Sequence, residues 1–136
     1  MILRMQGLHL TADLHGCAAT RAEMTDLGAL RACCLAAVNA CGLTPVGELF
    51  HRFAPAAPGL PPGGITGVVL LAESHLAVHT WPELDAVTLD VYVCNFGADN
   101  SARAQELLEA LVAAFAPASV ERHRLLRGAR TAVAPT

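Results

Sequence analysis

Between Thr66 and Cys94 the chain has strand character almost without interruption. "TGVVLLAES" (66–74) is apolar and β-branched, and "HLAVHTW" and "AVTLDVYVC" (86–94) continue in the same way. Pro82-Glu83-Leu84-Asp85 supplies the turn between the last two. Connections this short favour a mostly antiparallel sheet, and the rest of the chain must be arranged around it. "GLHLTADL" (7–14) alternates as a half-buried strand, "PVGELFHRF" (45–53) reads as another, and "SVERHRLLRG" (119–128) as the last. Two segments carry helical spacing: 26–41, stopping at Gly42, and the segment that starts at Asp99 or Asn100 as N-cap and ends near Pro117. "APAAPGLPPGG" (54–64) is a loop, and the tail to Thr136 is expected to be irregular.

The order β-α-β-β-β-β-α-β gives an α+β fold: a two-layer α/β sandwich with both helices on one face of a mostly antiparallel sheet. Residues 1–136 form one domain, with no internal repeat or linker. Such a sheet leaves one apolar face uncovered. Composition supports the same conclusion, since 54% of the residues are hydrophobic and only 15% charged, against about 25% charged in soluble domains. A homo-oligomer is therefore expected, and pairing two copies sheet to sheet would bury the uncovered face. A net charge of −3 with nine basic residues disfavours nucleic acid as a partner. No apolar run reaches the length that crosses a bilayer, and the first residues lack the pattern of a signal peptide, so a cytoplasmic protein with no membrane partner is expected. The five cysteines then read as thiols, with Cys33, Cys34 and Cys41 as core packing and Cys17 and Cys94 less easily assigned.

The chemistry is concentrated in "AESHLAVHTWPE" (72–83). Strand geometry puts His75, Ala77, His79 and Trp81 on one face and Leu76, Val78 and Thr80 on the other. His75 and His79 with Cys94 could hold a metal, although no further ligand is spaced to complete a site and the HExxH pattern is absent. Ser74 with His79 could be a hydrolase pair, although no glycine flanks Ser74 to form a nucleophile elbow. A plain core strand would have to satisfy Ser, His, Trp and Glu together. The fourth reading turns the serine on its own backbone. Its hydroxyl attacks the Glu73 carbonyl, and a base then removes the serine α-proton. The resulting ester is eliminated, and the new N-terminus hydrolyses to a pyruvoyl group, an electron sink made from the chain itself.

"GVVLLAESHLAVHTWPE" followed by "LDVYVC", with "HLTADLHGC" and "FHRF" upstream, resembles the prokaryotic S-adenosylmethionine decarboxylase proenzymes, a pyruvoyl-dependent family. The likeness runs from about Leu8 to Gly128. It implies cleavage between Glu73 and Ser74 into a small chain 1–73 and a large chain 74–136, and a pyruvoyl group derived from Ser74 that forms a Schiff base with the substrate. It further implies His79 as processing base, the Thr66 hydroxyl in support, and Cys94 as proton donor to the substrate. Glu83 would bind the ribose and Phe53 would stack on the adenine. No metal is implied. The family fold is the αββα dimer, with active sites drawing on both protomers, and its product serves spermidine synthesis. His75 is then a supporting residue and Trp81 an anchor of the turn. His9, His15, His51, His123 and Arg52 have structural or solvent-facing roles.

The chain departs from many relatives where substrate is recognised. About seven extra residues follow Phe53, no aromatic residue follows Trp81-Pro82-Glu83, and "NFGADNS" follows Cys94. Two alternatives therefore stand: an arginine or ornithine decarboxylase on the same fold, which Asp85 could favour although a surface turn is the simpler reading of that residue, and a non-catalytic dimeric regulator.

Overall fold

The computed structural model describes residues 6–128 together with Ile2–Leu3 and Ala132–Val133. Its elements are β1 (Ile2–Leu3), β2 (Gly7–His15), α1 (Ala22–Thr25), α2 (Leu27–Ala40), β3 (Pro45–Arg52), β4 (Ile65–Leu71), β5 (Ser74–Trp81), a 3-10 turn (Pro82–Leu84), β6 (Ala86–Cys94), α3 (Ser101–Phe115), β7 (Ser119–Arg127) and β8 (Ala132–Val133). Six strands make one antiparallel sheet in the order β3-β4-β5-β6-β2-β7, and β1 pairs separately with β8. The α+β class and the order of main elements follow the sequence reading. The short α1 and the β1–β8 pair were not expected, and the rest of the tail lies outside the described residues.

Alternation builds the core. Leu8, Leu10, Ala12 and Leu14 of β2, Leu76 and Val78 of β5, and Val87, Leu89, Val91 and Val93 of β6 are all buried on the face toward the helices. There they meet Leu30, Cys34 and Val38 of α2 and Leu107, Leu108, Leu111 and Phe115 of α3. Burial raises the Cys34 thiol to about 12, which suits an inert packing residue. Both helices sit on this one face: Arg31 of α2 pairs with Glu48 of β3, and Glu109 of α3 takes a two-pronged bond from Arg122 of β7. The Asp26 carboxylate caps α2 through the Ala29 amide at 3.1 Å, and Gly42 ends it at φ +82°.

The other face is open, but it is not the apolar surface that composition suggests. Strand register defines rows across it: Leu49-Val68-Ala77-Asp90-Thr11-His123, and His51-Thr66-His79-Thr88-Asp13-Glu121. A third row runs Leu70-His75-Tyr92-His9-Leu125, and His15 lies in register with Ala86 and Trp81. All six histidines of the chain are thus on this face. Strand alternation that buries the aliphatic residues inward necessarily turns the interleaved His, Thr and Asp outward. Among the described residues, the exposed leucines of this sheet face are Leu49 and Leu70 toward the β3–β4 edge and Leu125 on β7.

Candidate active site

Ser74 does not lie within a continuous strand. Residues 66–71 belong to β4, Ala72 and Glu73 form a turn, and Ser74 starts β5 opposite Leu71. Neither turn residue has a positive φ, whereas Ser74 has φ +149°. Two-residue hairpin turns usually carry positive φ at their central residues; here Leu71 pairs with Ser74 across Ala72-Glu73 and the positive φ falls on Ser74, a conformation for which glycine is the usual choice. Serine there carries backbone strain on the order of 1–3 kcal/mol. The peptide before it is held firmly. The Ala72 amide donates to the Thr44 carbonyl at 2.8 Å, and the Thr44 amide donates to Glu73 Oε1 at 3.0 Å. The Cys94 amide donates to the Glu73 carbonyl oxygen at 2.8 Å. This carbonyl is the one that a self-attacking Ser74 would address, and the Cys94 N–H lies where its oxygen would gain negative charge. Glu73 and Cys94 also line a cavity of about 450 Å³ with Phe96, Asn100 and Arg103.

A second group forms at the opposite end of β5. Thr66 and His79 are cross-strand partners, with Oγ1 and Nδ1 3.3 Å apart. They open into a cavity of about 440 Å³ walled by Phe53, Leu60, Trp81 and Glu83. Thr80 points the other way, accepting from the Ile65 amide at 2.9 Å and donating to the Met24 carbonyl at 2.8 Å, so the floor is fixed to the helical layer. Phe53 and Leu60 are each 51% exposed and Trp81 44%, so three large apolar groups face one space. The base of the 54–64 loop is closed by the Phe53 amide on the Gly64 carbonyl at 2.9 Å. Gly64 passes so near Thr80 that a Cβ there would overlap the Thr80 carbonyl oxygen. Glu83 sits on the 3-10 turn, which Asp85 closes in the left-handed region at φ +50°. Asp85 is exposed, as a turn residue would be.

The structure therefore brings Glu73, Ser74 and Cys94 together, and separately Phe53, Thr66, His79 and Glu83. Five residues of strand, about 16 Å, separate Ser74 from His79. A Ser74–His79 hydrolase pair within one chain is excluded by that distance. His75, His79 and Cys94 do not gather either. Among the described residues, the one group of three or more His, Cys, Asp or Glu side chains with ligand atoms within 4.8 Å is Asp13, Glu121 and His123. His75, next to Ser74, packs against Tyr92 with ring centroids 5.8 Å apart. Burial holds its imidazole below the usual range, and the neighbouring His9 and Arg127 add to this against the pull of Asp90. Trp81 lines the second cavity as well as flanking the turn. The sequence reading gave the 54–64 segment as a loop with extra residues where substrate is recognised, and Asn100, within the divergent "NFGADNS" stretch, as one of two candidate caps. Leu60 as a cavity wall has no signal in the local pattern.

Residues 8–128 match the family model described as S-adenosylmethionine decarboxylase. The S-adenosylmethionine decarboxylase proenzyme of Aquifex aeolicus is 33% identical over 122 residues, covering 90% of this chain and 81% of that protein. The proenzyme of Archaeoglobus fulgidus is 30% identical, covering 90% of this chain and 97% of that protein. The crystal structure of the adenosylmethionine decarboxylase from Aquifex aeolicus superposes with a TM-score of 0.80 at 29% identity, over 98% of this chain and 99% of that one. Taken with the serine held at positive φ behind a hydrogen-bonded carbonyl, these likenesses place the chain in the S-adenosylmethionine decarboxylase family.

Proposed function

We propose that the chain is a proenzyme that cuts itself between Glu73 and Ser74 and then decarboxylates S-adenosylmethionine. The observation that carries this reading is the pairing of a serine at φ +149° with a preceding carbonyl already bonded to the Cys94 amide. Attack of Ser74 Oγ on the Glu73 carbon relieves the strain at Ser74, and the Cys94 N–H stabilises the oxyanion as the amide becomes an ester. Loss of the Ser74 α-proton to a base then expels the Glu73 carboxylate. Water converts the dehydroalanine left behind to a ketone with release of ammonia. The resulting pyruvoyl group would supply a carbonyl for the substrate amine and a sink for the electrons released with carbon dioxide.

The base is His79, oriented by the Thr66 hydroxyl, and it must come from a second copy. An isologous two-fold pairing of the open sheet faces runs the partner's β5 in the opposite sense over this one. The Thr66–His79 end of each protomer then meets the Ser74–Cys94 end of the other. The same homodimer places the Phe53–Glu83 cavity beside the pyruvoyl group of the neighbouring chain. Its walls of Phe53, Leu60 and Trp81 suit a flat purine, and the Glu83 carboxylate suits the ribose hydroxyls. Cys94 returns a proton to the substrate carbon once carbon dioxide has left.

Denaturing mass spectrometry tests the first half of the proposal: a chain ending at Glu73 and a second beginning with pyruvoyl are expected. Only intact protein after long incubation would defeat it. Carbon dioxide release with S-adenosylmethionine, arginine and ornithine in parallel tests the substrate, and faster turnover of either amino acid would reject the nucleoside assignment.

A further inference from the structure

We propose that Asn100 is a positioning residue for Cys94. Through one side-chain bond it sets the place of the amide that holds the Glu73 carbonyl and of the thiol on the same residue. Asn100 is the N-cap of α3, and an asparagine there ordinarily turns its side chain onto an amide of the first helical turn. Here it makes no such bond. Asp99 Oδ1 takes the Ser101 amide instead, at 2.9 Å. The Asn100 side chain is buried, with 5% of the residue exposed, and is one of two buried polar residues among those described. Its Nδ2 donates to the Cys94 carbonyl at 3.1 Å, and its Oδ1 accepts from Arg103 Nη1 at 3.3 Å. The guanidinium can only donate and the carbonyl can only accept, so the orientation of the amide is fixed by its partners. The main chain of Asn100 is tied back as well, its N–H donating to Asn95 Oδ1 at 2.8 Å.

Cys94 is the last residue of β6, and the chain leaves the sheet directly after it. Its two main-chain groups point to different duties. The N–H reaches the Glu73 carbonyl oxygen, while the C=O is gripped by Asn100. Asn100 and Arg103 line the same cavity as Glu73 and Cys94. A capping side chain has thus been diverted from its helix to the end of the strand that stabilises the processing intermediate. Small misplacements of an oxyanion donor are expensive in rate, so the effect of releasing this grip is kinetic before it is structural.

The inference rests on Glu73–Ser74 as the scissile bond. The discriminating variant is Asn100→Asp, which keeps the shape, the capping ability and the acceptor for Arg103, but has no proton to offer the Cys94 carbonyl. Asn100→Ser keeps a cap and is too short to reach. In freshly synthesised chain, both should remain folded by near-ultraviolet circular dichroism yet cut about 10- to 100-fold more slowly. Hydroxylamine, which opens esters, should trap less ester in them than in the parent, because the step that forms it is impaired. In the fraction that does cut, kcat should fall with KM unchanged. Parental rates in Asn100→Asp would overturn the assignment of Asn100 alone, as would a loss of rate that only tracks a loss of folded protein. A parent chain that never cuts would overturn both this inference and the reading beneath it.

Discussion

Ser74 opens β5 and His79 lies five residues further along the same strand, about 16 Å away. A histidine so placed cannot take the α-proton of the serine in its own chain. Complementation follows from this. Ser74→Ala and His79→Ala chains are each expected to stay intact alone. Coexpressed, they form mixed dimers in which the Ser74 of one copy faces the His79 of the other. About half of the His79→Ala chains should then be cut, as random pairing through a two-fold interface requires. Mass spectrometry of the coexpressed pair reads this directly, and an absence of cut chains would refute the shared site.

The Cys94 contact to Glu73 is made by the main chain, so it survives replacement of the side chain. Cys94→Ala should therefore still cleave, within a few-fold of the parental rate. Turnover of S-adenosylmethionine by the cut protein should fall by about 100-fold or more, in the range for loss of a general acid. Equal loss of both steps would mean that the thiol itself takes part in cleavage.

Strain at Ser74 separates two inactive variants. Both Ser74→Ala and Ser74→Gly lack the hydroxyl and cannot cut. Alanine must still adopt φ +149°, whereas glycine reaches it without steric penalty. The glycine variant should be the more stable by roughly 1 kcal/mol, or a few degrees in melting temperature. A more stable alanine variant would show that the turn stores no strain.

Much of this was legible in the sequence because periodicity reports which face of an element is buried. Alternation in 7–14 and 86–94 and the helical spacing in 26–41 gave strands and a helix close to those observed. The strand order implied a turn between 66–74 and 75–81, but its exact place at Ala72-Glu73 was hidden because neither residue is a turn former and the positive φ is carried by Ser74. The residues of the site were named from the motif, but their division between two ends of β5 depends on strand length, which no motif states. Asn100 read as a cap because its neighbours are helical. Its bond to Cys94 joins the strand end to the helix start across a loop, and local pattern does not encode that.

His75 gives the open face a dependence on pH. Its imidazole is held below the usual value of about 6.5 by burial first, then by the proximity of His9 on β2 and the Arg127 guanidinium on β7, while Asp90 on β6 opposes them and Tyr92 packs alongside. Above that usual value both folded and unfolded chains carry the neutral ring, and His75 has no effect on the slope of stability against pH. As the pH falls below it, the unfolded chain takes up the proton before the folded one does, so stability declines until the folded-state ring also protonates. His75→Gln removes the titration while keeping a polar side chain at the position. Melting temperatures measured in the Ser74→Ala background, where the chain stays whole, should drop more steeply from pH 7 to pH 5 with His75 present than with glutamine there. Equal slopes would show that the proton is taken up elsewhere on the face.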